Sequence, residues 1–442
     1  MKDAEQVLKA AEEHDVKFIR LWFTDILGFL KSFAITVEEL ETALAEGMGF
    51  DGSSIEGFAR IDESDMVARP DPSTFVLLPW RPKAQRAVAR MFCDVLQPDG
   101  SPYVGDPRWA LKRALGRAES MGYTYYVGPE LEYFYFRSAE GPPETIDRGG
   151  YFDLTPLDVA TDLRRETVLT LEEMGIDVEY SHHEVAPSQH EIDMRYTDAL
   201  TMADNVMTYR LVVKEIALRH DLHATFMPKP IFGVNGSGMH THMSLFEGDK
   251  NIFYDPENPY DVSEIGKQFI AGLLKHGREI CLVCAQWVNS YKRLVPGYEA
   301  PVHLSWARRN RSDLIRVPVY KPGKEAATRV EFRAPDPACN PYLAFTAMLA
   351  AGLEGIENGY ECPEPVEENV YEMSEEERET RGIERLPEDL GHAIEAAEGS
   401  ELLRRALGDH IFEKFIENKK IEWRDYRAQV HGYEIDRYLA IL

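Results

Sequence analysis

Only five cysteines, Cys93, Cys281, Cys284, Cys339 and Cys362, occur in 442 residues, an odd number scattered too widely for a disulfide framework. Reduced thiols are expected, and Cys281 and Cys284 lie in an apolar helical stretch where two core thiols are the better reading than a redox pair. Long apolar runs are missing too: none approaches the roughly 18 residues that a membrane span requires. The N-terminal MKDAEQVLKAAEEHDV reads as an acidic amphipathic helix, not a signal peptide, so a cytoplasmic protein is expected. Positive charge is also short. Against 76 Asp and Glu stand 49 Lys and Arg, a net charge of −27 that argues against nucleic acid or an anionic membrane as main partner. Lysine is the scarcer cation, with 17 against 32 arginines.

What is present suits a large globular protein. The length and a 44% hydrophobic content allow one large or two moderate domains with ample core. Residues 16 to about 97 read as a small β-rich unit: Val16 to Thr24 and Phe29 to Thr36 flank a turn, and Glu38 to Glu46 is a short helix stopped by Gly47. Turn chemistry at Gln97 to Pro102 marks a boundary, after which Asp106 and Pro107 cap a helix running to Met121. Helical periodicity recurs at Asp158 to Met174, Thr201 to His220, Ser263 to Trp287, Pro341 to Glu357, Ser400 to Lys419 and Trp423 to Leu442. Between Glu364 and Leu390 the chain is acidic and poorly patterned, as in a surface loop with short helical turns, and no internal repeat is visible.

Four segments carry chemistry. In Asn235-Gly-Ser-Gly-Met-His-Thr-His242 a glycine-rich cradle precedes an alternation that puts His240, His242 and Ser244 on one strand face. Tyr123 to Arg137 reads as an aromatic strand on which Glu130 and Glu132 share a face, about 7 Å apart, too far to share a proton and well placed for two neighbouring cations. In His182 to Glu191, Glu184 and Glu191 stand on either side of a proline-marked turn, and Arg329, Glu331 and Arg333 alternate onto one face, a pattern suited to gripping a phosphoryl group. Five carboxylates and one imidazole, from Glu130, Glu132, Glu184, Glu191, Glu331 and His240, favour Mg²⁺ or Mn²⁺ over a structural zinc.

Nearly end to end, the chain resembles type I glutamine synthetases. FDGSSIEGF (Phe50 to Phe58), GPELE (Gly128 to Glu132), HHEVAPSQHEID (His182 to Asp193), KPIFGVNGSGMHTHMSL (Lys229 to Leu245), NSYKRLVPGYEAPV (Asn289 to Val302) and VEFRAPDPACNPYLA (Val330 to Ala344) follow in the family's order and spacing. The resemblance implies an α+β fold: a β-grasp domain over 14–98, then a catalytic α/β domain with a curved antiparallel sheet over 105–442. It implies ATP-dependent ligation of ammonium to L-glutamate through γ-glutamyl phosphate, with two or more Mg²⁺ or Mn²⁺ per subunit. Glu132, Glu184 and Glu191 match the ligands of one metal, and Glu130, His240 and Glu331 those of the other. Asn235, Gly236, Arg293, Glu299, Arg311 and Arg333 match the glutamate site; Glu179, Tyr196, His242, Ser244, Arg311 and Arg316 match the ATP site. Asp51, Ser54, Tyr151, Glu184 and Glu299 match the ammonium pocket, with Asp51 as proton acceptor and Glu299 on a flap that keeps water from the acyl phosphate. A homododecamer of two stacked hexameric rings is implied, each site formed between neighbours, with regulatory protein partners possible in principle.

Departures within the family refine this. Glu132 to Glu184 is short, lacking the insertion of the adenylylated subclass, so Tyr371, at that subclass's modified position, is expected to be unmodified. Arg60 resembles the arginine that mediates glutamine feedback in the short subclass, and Ala326 to Thr328 offer no counterpart to a lysine found near the nucleotide in some relatives. Two other readings stand beside the first: a γ-glutamyl ligase for a larger amine, disfavoured by Asp51 and Ser54, and a non-catalytic regulatory relative, disfavoured by the intact metal set.

Overall fold

The computed structural model describes residues 3–57, 65–80, 87–310, 312–319 and 323–442. Arg60 and Arg311 lie outside them. The first element, α1 (Ala4–Glu13), starts in a capping box between Asp3 and Gln6, and its apolar stripe is buried at Val7 and Ala11. Strands β1 (Val16–Thr24) and β2 (Leu30–Thr36) form the expected hairpin, whose turn is closed by the Asp25 carboxylate accepting from the Leu27 and Phe29 amides. Next comes α2 (Leu40–Glu46), stopped at Gly47 with φ 81°. Strands β3 (Met48–Asp51), β4 (Asp65–Pro70), β5 (Val76–Leu77) and β6 (Ala87–Leu96) complete a sheet of order β2-β1-β6-β4-β3, in which β1 and β6 run parallel. Val7, Ala11, Leu40, Ala43 and Leu44 of the two helices share a core with Ile19, Leu21, Ala89 and Met91 of the sheet, the packing of a β-grasp unit.

The second unit opens with α3 (Pro107–Ser120), capped by Asp106, and β7 (Thr124–Phe136), the 13-residue spine of the large sheet. Then follow α4 (Thr161–Glu173), β8 (Val178–His183), β9 (Gln189–Met194), β10 (Thr197–Asp198), α5 (Ala199–Arg219), β11 (His223–Thr225), β12 (Met239–Glu247) and β13 (Lys250–Asn251). After them come α6 (Glu264–Lys275), α7 (Gly277–Cys284), α8 (Ser290–Arg293), β14 (His303–Ala307), β15 (Asp313–Arg316), β16 (Val330–Phe332) and α9 (Pro341–Glu357). The chain closes with α10 (Glu375–Thr380), α11 (Leu390–Glu398), α12 (Glu401–Leu407), α13 (Asp409–Arg427) and α14 (Gly432–Tyr438). Among the described residues the sheet runs β14-β15-β16-β12-β7-β9-β8 and is antiparallel except where β14 pairs with β15. One face is buried under helices. The apolar, almost wholly buried α9 packs against α3 and α6, and the buried Cys281 and Cys284 are free thiols in that core.

Three helical expectations divide, and Trp423 to Leu442 is one of them: Trp423 belongs to α13, which ends at Arg427, and α14 begins only at Gly432. Ser263 to Trp287 is two helices, because the chain breaks at His276 and restarts at Gly277; the C-terminal stretch breaks at Gly408, whose φ of 83° suits glycine. The two units share buried contacts. Asn340 donates to the Asp25 and Ile26 carbonyls, and a Cβ on Gly28 would lie 2.9 Å from the Asn340 Cα, so the hairpin turn needs glycine there. Arg108 reaches Asp71 at 2.8 Å, Asp94 at 2.6 Å and Asp204 at 2.9 Å. Among the described residues no helix is long and apolar enough to cross a membrane.

Candidate active site

Strand register assembles the site on the sheet face away from the helices. Glu331 of β16 lies opposite His242 of β12; His240 lies opposite Glu130 of β7, which lies opposite Asp193 of β9; Glu132 lies opposite Glu191, which lies opposite His182 of β8. Paired residues point to the same face of a pleated sheet, so the registers gather acids and imidazoles from five strands, with Arg316 of β15 joining opposite Glu331. Glu184, in the β8–β9 turn, bends back over them, its carboxylate 2.9 Å from His182 Nε2 and accepting the Val185 amide. This floor lines a cavity of about 230 Å³.

The carboxylates do not share one environment. Burial opposes ionisation of Glu331, but Arg333 at 2.8 Å, the His242 and His240 rings and Arg316 outweigh it and bring its pKa down to about 2. Glu130 is likewise opposed by burial and held well below the carboxylate range, chiefly by His242. The Arg329 Nε donates to His242 Nδ1 at 3.1 Å, and His242 Nε2 lies 2.7 Å from Glu130 Oε1. Glu132 and Glu191 go the other way. Burial raises both carboxyls well above the usual range, reinforced at Glu132 by Glu184 and at Glu191 by Asp193, Glu132, Glu130 and Glu184.

Cations fit this surplus. His240 Nδ1 is 3.6 Å from Glu130 Oε2 and 3.8 Å from Glu331 Oε1, too long for hydrogen bonds and within the span of donors around one ion. Burial, with Arg333 second, lowers the His240 pKa to about 4, which keeps the ring neutral and able to ligate. Glu130, His242 and Glu331 form one group of mutually close donor atoms and His182, Glu184 and Glu191 a second, and among the described residues His182 Nδ1 is buried without a hydrogen-bond partner. A third close group, Asp147, His183 and His190, is already satisfied by protons: His183 bridges Asp147 and the Glu184 carbonyl, and Arg164 lies 2.9 Å from His190.

The expected residues divide between two cavities. Glu130, Glu132, Tyr151, Glu184, Glu191, Asn235, Gly236, His240, Arg293, Glu299, Arg316, Glu331 and Arg333 line the first. Glu179, Tyr196, His242 and Ser244 line a neighbouring cavity of about 200 Å³, which shares Glu130 and Tyr180 with the first. Asp51 and Ser54 line neither. They sit at the exposed end of β3, where Asp51 accepts from the Ser53 amide at 2.9 Å and hydroxyl at 3.0 Å. Sequence reading assigned no role to His182 or Gln189. Gln189 Nε2 donates to Glu132 at 2.8 Å and to the Gly236 carbonyl at 3.0 Å, tying the glycine cradle to the floor. Both residues belong to the motif that carries Glu184 and Glu191, but only cross-strand register reveals their partners.

Residues 15–98 match the family profile of the glutamine synthetase beta-Grasp domain, and residues 104–438 that of the glutamine synthetase catalytic domain. A glutamine synthetase of Methanosarcina mazei is 56% identical over 99% of this chain and 98% of its own. One of Mycolicibacterium smegmatis is 54% identical over the full length of both. A solved structure of GmaS in complex with ADP superposes with a TM-score of 0.88 at 32% identity, covering 98% of this chain and 99% of that one.

Proposed function

The chain belongs to the glutamine synthetase family, and from that premise we propose that the register-built acid cavity is where glutamate, ammonium and the γ-phosphate of ATP meet. The chemistry is that of a glutamate–ammonia ligase. A carboxylate is a poor acyl donor because its leaving group is oxide. The glutamate γ-carboxylate therefore attacks the γ-phosphorus of ATP, and ammonia displaces phosphate from the resulting acyl phosphate. Positioning and charge neutralisation are most of that task.

The family uses divalent metals. Glu132, Glu184 and Glu191 would hold one ion and Glu130, His240 and Glu331 the other; we take these to be Mg²⁺ or Mn²⁺, at least two per subunit, which when bound neutralise phosphoryl oxygens. The gathering of excess carboxylates in the strand registers described above carries this reading. Arg316 and Arg333 bring fixed positive charge to the transferring phosphoryl group, with Arg311 assigned beside them on family correspondence. Arg293, Asn235 and Gly236 are assigned to glutamate. Arg293 already donates to the Arg333, Ala334 and Pro335 carbonyls, so it would meet a carboxylate with its remaining hydrogens. Glu179, Tyr196, His242 and Ser244 line the cavity we assign to the nucleotide. Glu299 and Tyr151 would close the first cavity over the acyl phosphate and the ammonium.

Asp51 and Ser54 complete the ammonium pocket only if a neighbouring copy supplies them. We therefore propose a cytoplasmic dodecamer of two hexameric rings with domains at 14–98 and 105–442, and product feedback through Arg60, testable as loss of glutamine inhibition in Arg60→Ala. The shared site has a direct experiment. Asp51→Ala and Glu191→Gln homo-oligomers should each be nearly inactive. Co-assembled at equal amounts, about one quarter of head-to-tail interfaces pair two sound halves, and glutamine formation should reappear to that extent. Verified mixed oligomers as inactive as the parents would sink the shared-site reading.

A further inference from the structure

Between the end of α8 at Arg293 and the start of β14 at His303 the chain forms no helix or strand, yet it carries Glu299 over the cavity mouth. Its shape is not self-supporting. Gly297 has φ 92° and Glu299 φ 55°, the latter a left-handed conformation that costs a non-glycine residue free energy. Its tethers toward the cavity are weak: Asn235 Nδ2 donates to Glu299 Oε2 and Arg333 Nη2 to the Glu299 carbonyl, each at 3.4 Å, while Lys229 Nζ stands 3.7 Å over the Tyr298 ring. From the opposite side the Tyr371 hydroxyl donates to the carbonyl of the buried Ala300.

Tyr371 itself rests on a fixed base. Its amide donates to Asn369 Oδ1 at 3.1 Å, and Arg378 donates to the Val370 and Met373 carbonyls on either side. The acidic segment around it is stitched to β14: Trp306 Nε1 donates to the Pro363 carbonyl at 2.7 Å, and Val366 N to the Trp306 carbonyl at 2.8 Å. Burial pushes the Tyr371 phenol up to about 12, so the donor keeps its proton.

We propose that Tyr371 is a positioning residue that latches the Glu299 segment shut over the acyl phosphate, and so sets the partition of that intermediate between ammonia and water. The proposal rests on the reading of Glu299 as the cover. When the segment lifts, water adds to the γ-carbonyl carbon, the bond from that carbon to the phosphate oxygen breaks, and a proton goes to solvent. Glutamate and phosphate result, and ATP is hydrolysed with no glutamine formed.

The test is Tyr371→Phe in the assembled full-length enzyme, read as phosphate released per glutamine formed. Loss of one net hydrogen bond corresponds to about a fivefold larger open population. The excess of phosphate over glutamine at limiting ammonium should rise by about that factor and fall back at saturating ammonium, where ammonia outcompetes water. Amide exchange across residues 296–302 should speed up in step. Glu299→Ala separates the two ideas. If it shows no excess phosphate, the cover reading fails and the latch falls with it. If Glu299→Ala uncouples and Tyr371→Phe keeps the parental ratio, the latch is overturned whatever the exchange shows.

Discussion

Two clusters of buried acids in this chain look alike in composition and differ in completeness. Around Arg108, the carboxylates of Asp71, Asp94 and Asp204 converge on one guanidinium, Lys112 adds a second cation to Asp94, and the Tyr342 hydroxyl donates to Asp204. Burial opposes the charge on Asp71, yet Arg108 brings its pKa below the ordinary value. In the cavity, Arg316 and Arg333 satisfy Glu331, but burial, reinforced by neighbouring carboxylates, pushes the Glu132 and Glu191 carboxyls up. A cluster finished by its own chain holds the fold together. One left short of cations is built for something that arrives later.

The comparison breaks most visibly if Arg108 proves dispensable. Arg108→Ala leaves the buried Asp204 and the half-buried Asp71 without their cation and Asp94 with Lys112 alone, and should cost about 3–5 kcal/mol of stability, read as a lowered urea midpoint. Glu191→Gln should do the reverse in the cavity. Removing one of the crowded charges should raise the melting temperature of the metal-free protein while cutting glutamine formation at ordinary Mg²⁺ by more than about 100-fold, the upper range for disturbing even an outer-shell partner. A lower metal-free melting temperature would show Glu191 to be a structural acid like Asp71.

The last effect is a slope. A carboxyl whose folded pKa is raised keeps its proton in the folded state after the unfolded chain has lost it, so stability falls as pH rises from the unfolded value toward the folded one. Glu132 and Glu191 should each contribute up to about 1.4 kcal/mol per pH unit in that window. Asp71, shifted down, contributes stability that is present above the unfolded value near 3.9 and lost as pH falls, so it is silent at neutral pH. Asp106, raised to about 7 by burial and by Asp94, adds a slope that metal does not change. The diagnostic is therefore the difference between denaturation series with and without saturating Mg²⁺ from pH 5 to 8. Identical slopes would mean that the cavity acids do not meet the ion.

Much of the site was legible because strand alternation is a period-two code: Glu130 with Glu132, and His240 with His242, declare a shared face without any knowledge of neighbours. Which strands lie side by side is not in that code. The pairing of His240 with Glu130, and of His242 with Glu331, joins strands far apart in sequence. The helix breaks at His276 and Gly408 were hidden because apolar spacing continues across both. The acidic stretch after Glu364 reads as loose from composition, yet its backbone is bonded to β14, which composition cannot report. Asp51 and Ser54 illustrate another limit: a motif can name a role that the geometry of one chain does not fulfil.

The register that gathers the acids also makes the site an error check. A slip of β12 by one residue would present Met239, Thr241 and Met243 where His240 and His242 stand, and a slip of β9 would exchange Glu191 for His190 or Ile192. No intermediate quality of site exists between the right pairing and a wrong one. On the metal reading proposed above, cation binding would report on the fidelity of sheet assembly as well as on readiness for chemistry, and a mispaired copy would identify itself by failing to take up the ion.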